Sequence, residues 1–330
     1  MQSRNFNTKA VVEAGLLSAI IVVLMLTTAY IPFLSILNVL LPVPVTILYL
    51  RHNYKVAMAT VVVSGIIVST LYSPILALGV IVTYSLTGMT LGYCIKRDKK
   101  VSHTIIILAL VSALAYLINT LIFIFIIQPN GIQGFIGYIN KLIAIINTTM
   151  DQSKEFYKAA GMMNAKQLAA LNQVPILTIA NIMLIFPGTF VLACSMNAFI
   201  SYSITKAILK KLRYKVRDFK PFSQFYIKNK LGALAIILFC IALLLQRRNM
   251  FIGEYVVSFL TILIESVLLI SGLALTTFYL RNQFKLSKKL VILLLLFTLL
   301  MKMEQIFLIL GLMDMILDFR HLDADRLFKR

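Results

Sequence analysis

Apolar stretches of about 20 residues recur along almost the whole of this 330-residue chain, each long enough to cross the roughly 30 Å hydrocarbon core of a bilayer as a helix. A soluble core is excluded, because 60% of the residues are hydrophobic and 13% charged, far from the proportions of a soluble domain. Length therefore counts spans rather than domains. The candidate spans cover residues 10–30, 31–50, 54–71, 74–95, 104–127, 174–205, 231–246, 255–280 and 290–312. The expected fold is an all-α integral membrane protein, a polytopic helical bundle of eight or nine transmembrane helices. The first apolar run has no small-residue cleavage site before the next begins at Ile31, so it reads as a retained helix and not a signal peptide.

Lys and Arg resist translocation, so their distribution among the loops sets the orientation. With the N-terminus in the cytoplasm, twenty-one basic residues fall on the cytoplasmic side through the eighth span, against six (Lys141, Lys154, Lys158, Lys166, Arg247 and Arg248) on the other. This predicts a multi-pass membrane protein with its N-terminus in the cytoplasm, and the lipid bilayer as first partner. The net charge of +20 lies in short runs between apolar segments, which argues for topology and against nucleic acid. Nine basic residues stand between positions 206 and 230. They are expected against anionic lipid headgroups, at about 1 kcal/mol each near the surface, with a solvated charged face as the alternative. The same stretch divides the chain into a six-span module (1–205), a basic cytoplasmic linker (206–230) and a three-span module with a charged tail (231–330).

Two segments carry further expectations. The external stretch 128–173 opens on the turn signal Pro129-Asn130-Gly131 and then places Ile132, Phe135, Ile136, Ile139, Leu142, Ile143 and Ile146 at helical spacing. An amphipathic helix at the interface follows, then a separate polar helix over 151–171; the pair is either a surface connection or a lid over an outward-facing site. The final apolar segment holds Lys302 and Glu304 near its middle. It is expected as one helix that leaves the tail outside, whereas a broken or re-entrant segment would return the tail to the cytoplasm.

The sequence lacks the usual vehicles of chemistry. There is no G-x-x-x-x-G-K-[ST] loop to cradle ATP, no H-E-x-x-H or Cys/His cluster for zinc, and no G-x-S-x-G elbow. Catalytic residues, metal and cofactor are all expected to be none, and the chain is not expected to be an enzyme. His52, His103 and His321 stand singly and read as solvated, while Cys94, Cys194 and Cys240 read as small buried hydrophobes.

What remains are polar groups at membrane depth, which are costly in hydrocarbon and so are candidates for function. Glu265 lies near the centre of the eighth span and is able to meet Lys302 across helices, either as a packing pair or as part of an ion or proton path. Asn38, Tyr84, Tyr116, Asn119, Asn181 and Asn197 are spread over the first six spans, where each either bonds across helices or contacts a ligand. Pro42 and Pro44 interrupt the second span and free backbone carbonyls, as in discontinuous transporter helices, or simply kink it. In the first span, Ala10, Ala14 and Ser18 repeat every four residues beside Gly15 and Ala19, a flat stripe that admits close approach of a helix from the bundle or from a partner.

Several segments carry a resemblance. They are Thr8-Lys9-Ala10-Val11-Val12-Glu13-Ala14-Gly15-Leu16-Leu17-Ser18-Ala19, Leu41-Pro42-Val43-Pro44 leading to Leu50-Arg51-His52, Pro221-Phe222-Ser223, and Gly311-Leu312-Met313-Asp314 with Asp318-Phe319-Arg320. Together they resemble the YybS-like family of bacterial multi-pass membrane proteins, with Arg51, Asp314, Asp318 and Arg320 as its polar motif residues. The N-terminal half of that family is similar to the S components of energy-coupling-factor (ECF) transporters. The resemblance implies a six-helix part that binds a small molecule from outside and docks, through the small residues of its first helix, on a transmembrane coupling subunit served by separate ATPases. On this chain the docking face would be Ala10, Ala14 and Ser18. The function expected first is thus small-molecule binding or transport without ATPase activity of its own. A non-transporting membrane scaffold or regulatory protein, and an ion-coupled carrier using Glu265, are the alternatives.

Overall fold

The computed structural model describes residues 8–161, 176–248 and 250–322, and among them it contains helices, turns and loops but no strand. In order these are α1 (Thr8–Tyr30), a 3-10 segment (Pro32–Leu40), α2 (Pro42–Arg51), α3 (Tyr54–Leu71), α4 (Pro74–Lys96) and α5 (Val101–Ile122), which runs into a π turn (Phe123–Ile127). They continue with α6 (Gly131–Ala159), α7 (Ile179–Lys211), a 3-10 turn (Phe222–Gln224), α8 (Asn229–Arg247), α9 (Phe251–Asn282), α10 (Lys288–Leu300) and α11 (Glu304–Leu317). Eight of these spans, taking the 3-10 segment with α2 as one, are long and apolar enough to cross a bilayer. Helices are forced on such a chain because hydrocarbon offers no partner for an unpaired amide. Outward-facing Leu234, Ile237, Ile241 and Leu244 on α8 would make an aggregating patch in water and are explained by lipid.

The described residues form two compact units, 8–182 with Ala193–Arg217, and Met183–Leu192 with 218–322. The division falls inside the basic stretch. Up to Arg217 that stretch belongs to the first unit, where Leu209 is buried with Val43 and Ile47 and where Tyr214 and Val216 pack on the same cluster.

In the first unit, α2 lies against α4 and α1 against α3. The α2–α4 contact depends on missing side chains: a methyl on Gly88 would stand 2.7 Å from the Pro42 carbonyl oxygen, and one on Gly92 would stand 2.6 Å from the Tyr49 ring. Thr46 closes the same contact, its hydroxyl 2.9 Å from both the Pro42 and Gly88 carbonyls. The second span is indeed broken, at Leu41. Pro42 starts α2 at a position where no helical amide is lost, and its carbonyl is occupied by Thr46 rather than free. Pro44 is buried inside α2.

Beyond α5, one 29-residue helix runs from Gly131 through Ala159. The separate polar helix expected from Asp151 is therefore corrected as far as residue 159, since that segment simply continues the amphipathic helix; residues 162–175 lie outside the described residues.

In the second unit, α9 packs on α8 and on α11. Backbones of α9 and α11 touch, because a methyl on Gly272 would collide with the Phe307 carbonyl and one on Gly311 with the Leu268 carbonyl. The expectation of a single final helix is overturned. α10 and α11 are bent by 115°, with Lys302 in the left-handed region at φ 53°. The break is a Schellman cap, with the Lys302 amide donating to Leu299 O at 3.0 Å and the Met303 amide to Thr298 O at 3.2 Å. A charged pair in mid-helix would be costly in hydrocarbon, and the turn removes it. Lys302 and Glu304 are both exposed there, and Glu304 begins α11, where the helix dipole favours an acid. Each arm is about 20 Å long, too short to cross alone.

Beyond α11, Arg320 folds back to bond Asp314 Oδ2 at 2.6 Å, Ser223 O at 2.7 Å and Phe225 O at 2.8 Å. Both charged side chains are fully buried. Arg320 is thus pinned to segment 223–225 of the same unit. Arg320→Met should destabilise the second unit by about 3–5 kcal/mol, because it leaves Asp314 as an uncompensated buried charge. The pair Asp314→Leu with Arg320→Met should recover much of that loss. Denaturant unfolding in detergent reads both, and equal stability of wild type and Arg320→Met would refute the role assigned to this pair.

Candidate functional site

Polar residues far apart in sequence meet in the first unit. A cavity of about 470 Å³ lies between the 3-10 segment, the start of α2, α4, α5 and the later part of α7, lined by Asn38, Pro42, Tyr84, Tyr116, Asn119 and Asn197 together with Gly79, Thr83, Phe123 and Ser201. Six of the residues singled out from the sequence therefore share one wall system. Asn181 does not join them. It sits at the start of α7, where its Oδ1 accepts from the Thr178 hydroxyl at 2.7 Å and its amide donates to Thr178 Oγ1 at 3.3 Å, so it belongs to a helix cap and not to an interhelical bond. Glu265, Lys302 and Glu304 belong to the second unit, where Glu265 is exposed on α9; no ion pair joins it to Lys302.

Four of the polar wall residues, Asn38, Tyr84, Asn119 and Asn197, are held by neighbours. Tyr84 is buried, with its hydroxyl 3.1 Å from that of Ser64 on α3. The Thr28 hydroxyl of α1 lies 2.8 Å from Asn38 Oδ1, and Asn197 donates from Nδ2 to Ser112 Oγ at 3.0 Å. Asn119 donates from Nδ2 to Thr83 Oγ1 at 2.7 Å, and its buried Oδ1 has no hydrogen-bond partner. The π turn supplies Phe123, whose ring meets Phe135 and Tyr138 of α6 at centroid distances of 6.1 and 5.2 Å. α6 is thereby packed on one wall of the cavity. Sequence reading missed Gly79, Thr83 and Thr87, although their spacing of four beside Tyr84 marks one small, polar face of α4.

The stripe on α1 divides. Ala10 and Ser18 are buried, with the Ser18 hydroxyl 3.4 Å from Thr60 O of α3, whereas Ala14 is half-buried and Gly15 and Ala19 are exposed. Ala10, Ala14, Gly15 and Ser18 line a groove of about 950 Å³ with Ala59 and Thr60 of α3, and Arg51, His52 and Lys55 stand at one end. There Glu13 accepts from His52 Nε2 at 3.0 Å and lies 3.3 Å from Arg51 Nη1, while Arg51 Nε donates to the Tyr214 hydroxyl at 3.2 Å. The expectation of a solvated His52 is corrected: its side chain is 11% exposed and faces a carboxylate. Glu13, named in the sequence only as part of the Thr8–Ala19 segment, is the residue that organises this end.

At the end of α4, Asp98 occupies a left-handed cap position at φ 46°, beside the negative end of the helix dipole. Arg217 offsets it, donating from Nε to Oδ1 at 2.7 Å and from Nη2 to Oδ2 at 2.5 Å. These bonds are the main cause that holds the Asp98 carboxyl below its ordinary range; the guanidinium charge adds to them and desolvation opposes them. A depressed folded pKa means that this stabilisation is complete above the unfolded Asp value of about 3.9 and is lost as pH falls through the folded value. Hydrogen exchange of residues 213–217, corrected for intrinsic rates, should be steady from pH 7 to 5 and faster below roughly pH 4, and fast throughout in Arg217→Gln. Protection independent of both changes would refute this.

No solved structure matches this chain. It is similar to the uncharacterized protein YybS of Bacillus subtilis (strain 168), 26% identical over 286 residues, which are 82% of this chain and 84% of that protein. The family model described as Predicted membrane protein (DUF2232) matches residues 19–315. With eight helices among the described residues able to cross a bilayer and nearly the whole chain matched, this is a multi-pass membrane protein that belongs to the DUF2232 family of predicted membrane proteins.

Proposed function

We propose that the first unit binds a small molecule in the cavity of about 470 Å³, as a binding or transport component that does not hydrolyse ATP itself. One observation carries the reading: side chains from the 3-10 segment, α4, α5 and α7 converge on one space, and the buried carbonyl of Asn119 finds no partner among the described residues. A space of this size falls within the range of ligand pockets, roughly 300–1,000 Å³, with a mostly apolar wall and a few placed polar groups. The orientation set by the basic loops puts α6 outside, where its contact with Phe123 supports the lid reading over that of a mere connection. The resemblance read from the sequence implies the same assignment, and the groove beside α1, whose open edge at Gly15 leaves room for a partner helix from a coupling subunit, agrees with it. Location in a bacterial plasma membrane with a cytoplasmic N-terminus completes the proposal.

Native mass spectrometry of the detergent-solubilised chain tests it. Wild-type protein should carry a small-molecule mass that Gly79→Leu, which fills the cavity, removes. If no adduct survives in either and added cell extract restores none, the binding reading is wrong. Docking is tested separately, since Ala14→Leu and Gly15→Leu should cut recovery of a co-purifying membrane protein several-fold without touching the small-molecule adduct. An unchanged set of co-purifying proteins would remove the docking part of the proposal.

A further inference from the structure

One contact between α6 and the chain ahead of α7 has the form of a two-point clasp. The Asn147 side chain donates from Nδ2 to the Leu177 carbonyl at 3.0 Å and accepts from the Leu177 amide at Oδ1, also at 3.0 Å. A main-chain N–H and C=O cannot exchange roles, so the two partners together set the Asn147 amide this way round. Leu177 stands in the non-helical segment before α7, where its amide and carbonyl need partners from elsewhere in the chain. Spaced by four, Phe135, Ile139, Ile143 and Asn147 form the less exposed stripe of α6, with Ile143 buried. Asn147 is the polar member of that stripe, and Leu177 is what it serves.

The other end of α6 is built to turn. Asn130 and Gly131, which join it to the π turn, follow each other in the left-handed region at φ 70° and 55°, and no atom would crowd even a methyl on Gly131. Just beyond, Phe135 and Tyr138 rest on Phe123, which with Ile127 forms part of the cavity wall. α6 therefore runs as a strap from the end of α5 to the approach to α7, two of the helices that line the cavity, jointed at one end and clasped at residue 147.

Resting on the small-molecule reading above, we propose that Asn147 is the latch of this strap: passage into and out of the cavity past Phe123 requires α6 to release Leu177 and turn about residues 128–131. Both bonds break together, because one side chain makes them. Their loss shifts the ratio of closed to open forms about tenfold, the scale on which neutral hydrogen bonds stabilise a fold.

N-ethylmaleimide reads access to the cavity without any ligand, on the full-length protein in detergent. Thr87→Cys places a thiol on the cavity wall, and native Cys94, buried in the same unit but not part of that wall, is the internal reference. With Asn147→Leu added, the introduced thiol should be labelled about tenfold faster, with labelling of Cys94 unchanged. Asn147→Asp, which keeps an acceptor for the Leu177 amide but offers no donor to its carbonyl, should also be faster than the parent. Asn140→Leu, on the exposed face of α6, should leave the rate as it was. Equal rates with and without Asn147 overturn the latch, and so does parallel acceleration at Cys94, which would mark a loosening of the whole unit. If Asn147→Leu does not fold, Asn147→Asp decides by the same two criteria. None of these outcomes touches the small-molecule reading, which the native mass measurement decides separately.

Discussion

The contact between α2 and α4 is the joint on which the first unit depends. Hydrocarbon provides no hydrophobic force between helices, so close packing and interhelical hydrogen bonds must hold them. Gly88 and Gly92, one helical turn apart, let the two backbones meet, and the Thr46 hydroxyl reaches the carbonyls on both sides of the seam. That seam fixes the angle at which the 3-10 segment leaves α2. It also fixes which face of α4 is turned inward, and the cavity is the space those two decisions enclose.

The second unit meets the same constraint in a different way. Gly272 and Gly311 bring α9 and α11 into backbone contact, and the buried Asp314–Arg320 pair ties the end of the chain to residues 223–225. A buried pair of this kind contributes little net stability over an apolar replacement but costs much when halved, so its value lies in fixing one arrangement. Ser223, Gly311, Asp314 and Arg320, which carry part of the family resemblance, are thereby brought into one connected region although they lie up to 97 residues apart.

Much of the fold was legible because its cause is local. An apolar run of 20 residues becomes a helix whatever its neighbours are, so the first eight spans could be placed from hydropathy alone, and Asn38, Tyr84, Asn119 and Asn197 stood out as polar residues in apolar surroundings. Asn181 departs from its expected interhelical role because Thr178, three residues before it, draws its amide into a helix cap. Lys302 was misread because hydropathy averages over a window in which a single left-handed residue has no weight. His52 was misread because its partner, Glu13, is 39 positions away and one carboxylate in the first span gave no sign of its direction.

The sequence alone determined that this chain lives in a membrane, that its spans are helical, and where most of them begin and end, since these follow from the free energy of moving short segments out of water. Only the tertiary structure decided that Asn38, Asn119 and Asn197 line one space, that Asn119 bonds Thr83 from its nitrogen, and that the last helix breaks at Lys302. Those outcomes depend on how helices rotate and tilt against each other. That is set by glycine contacts and single hydrogen bonds between residues distant in the chain, which hydropathy does not register.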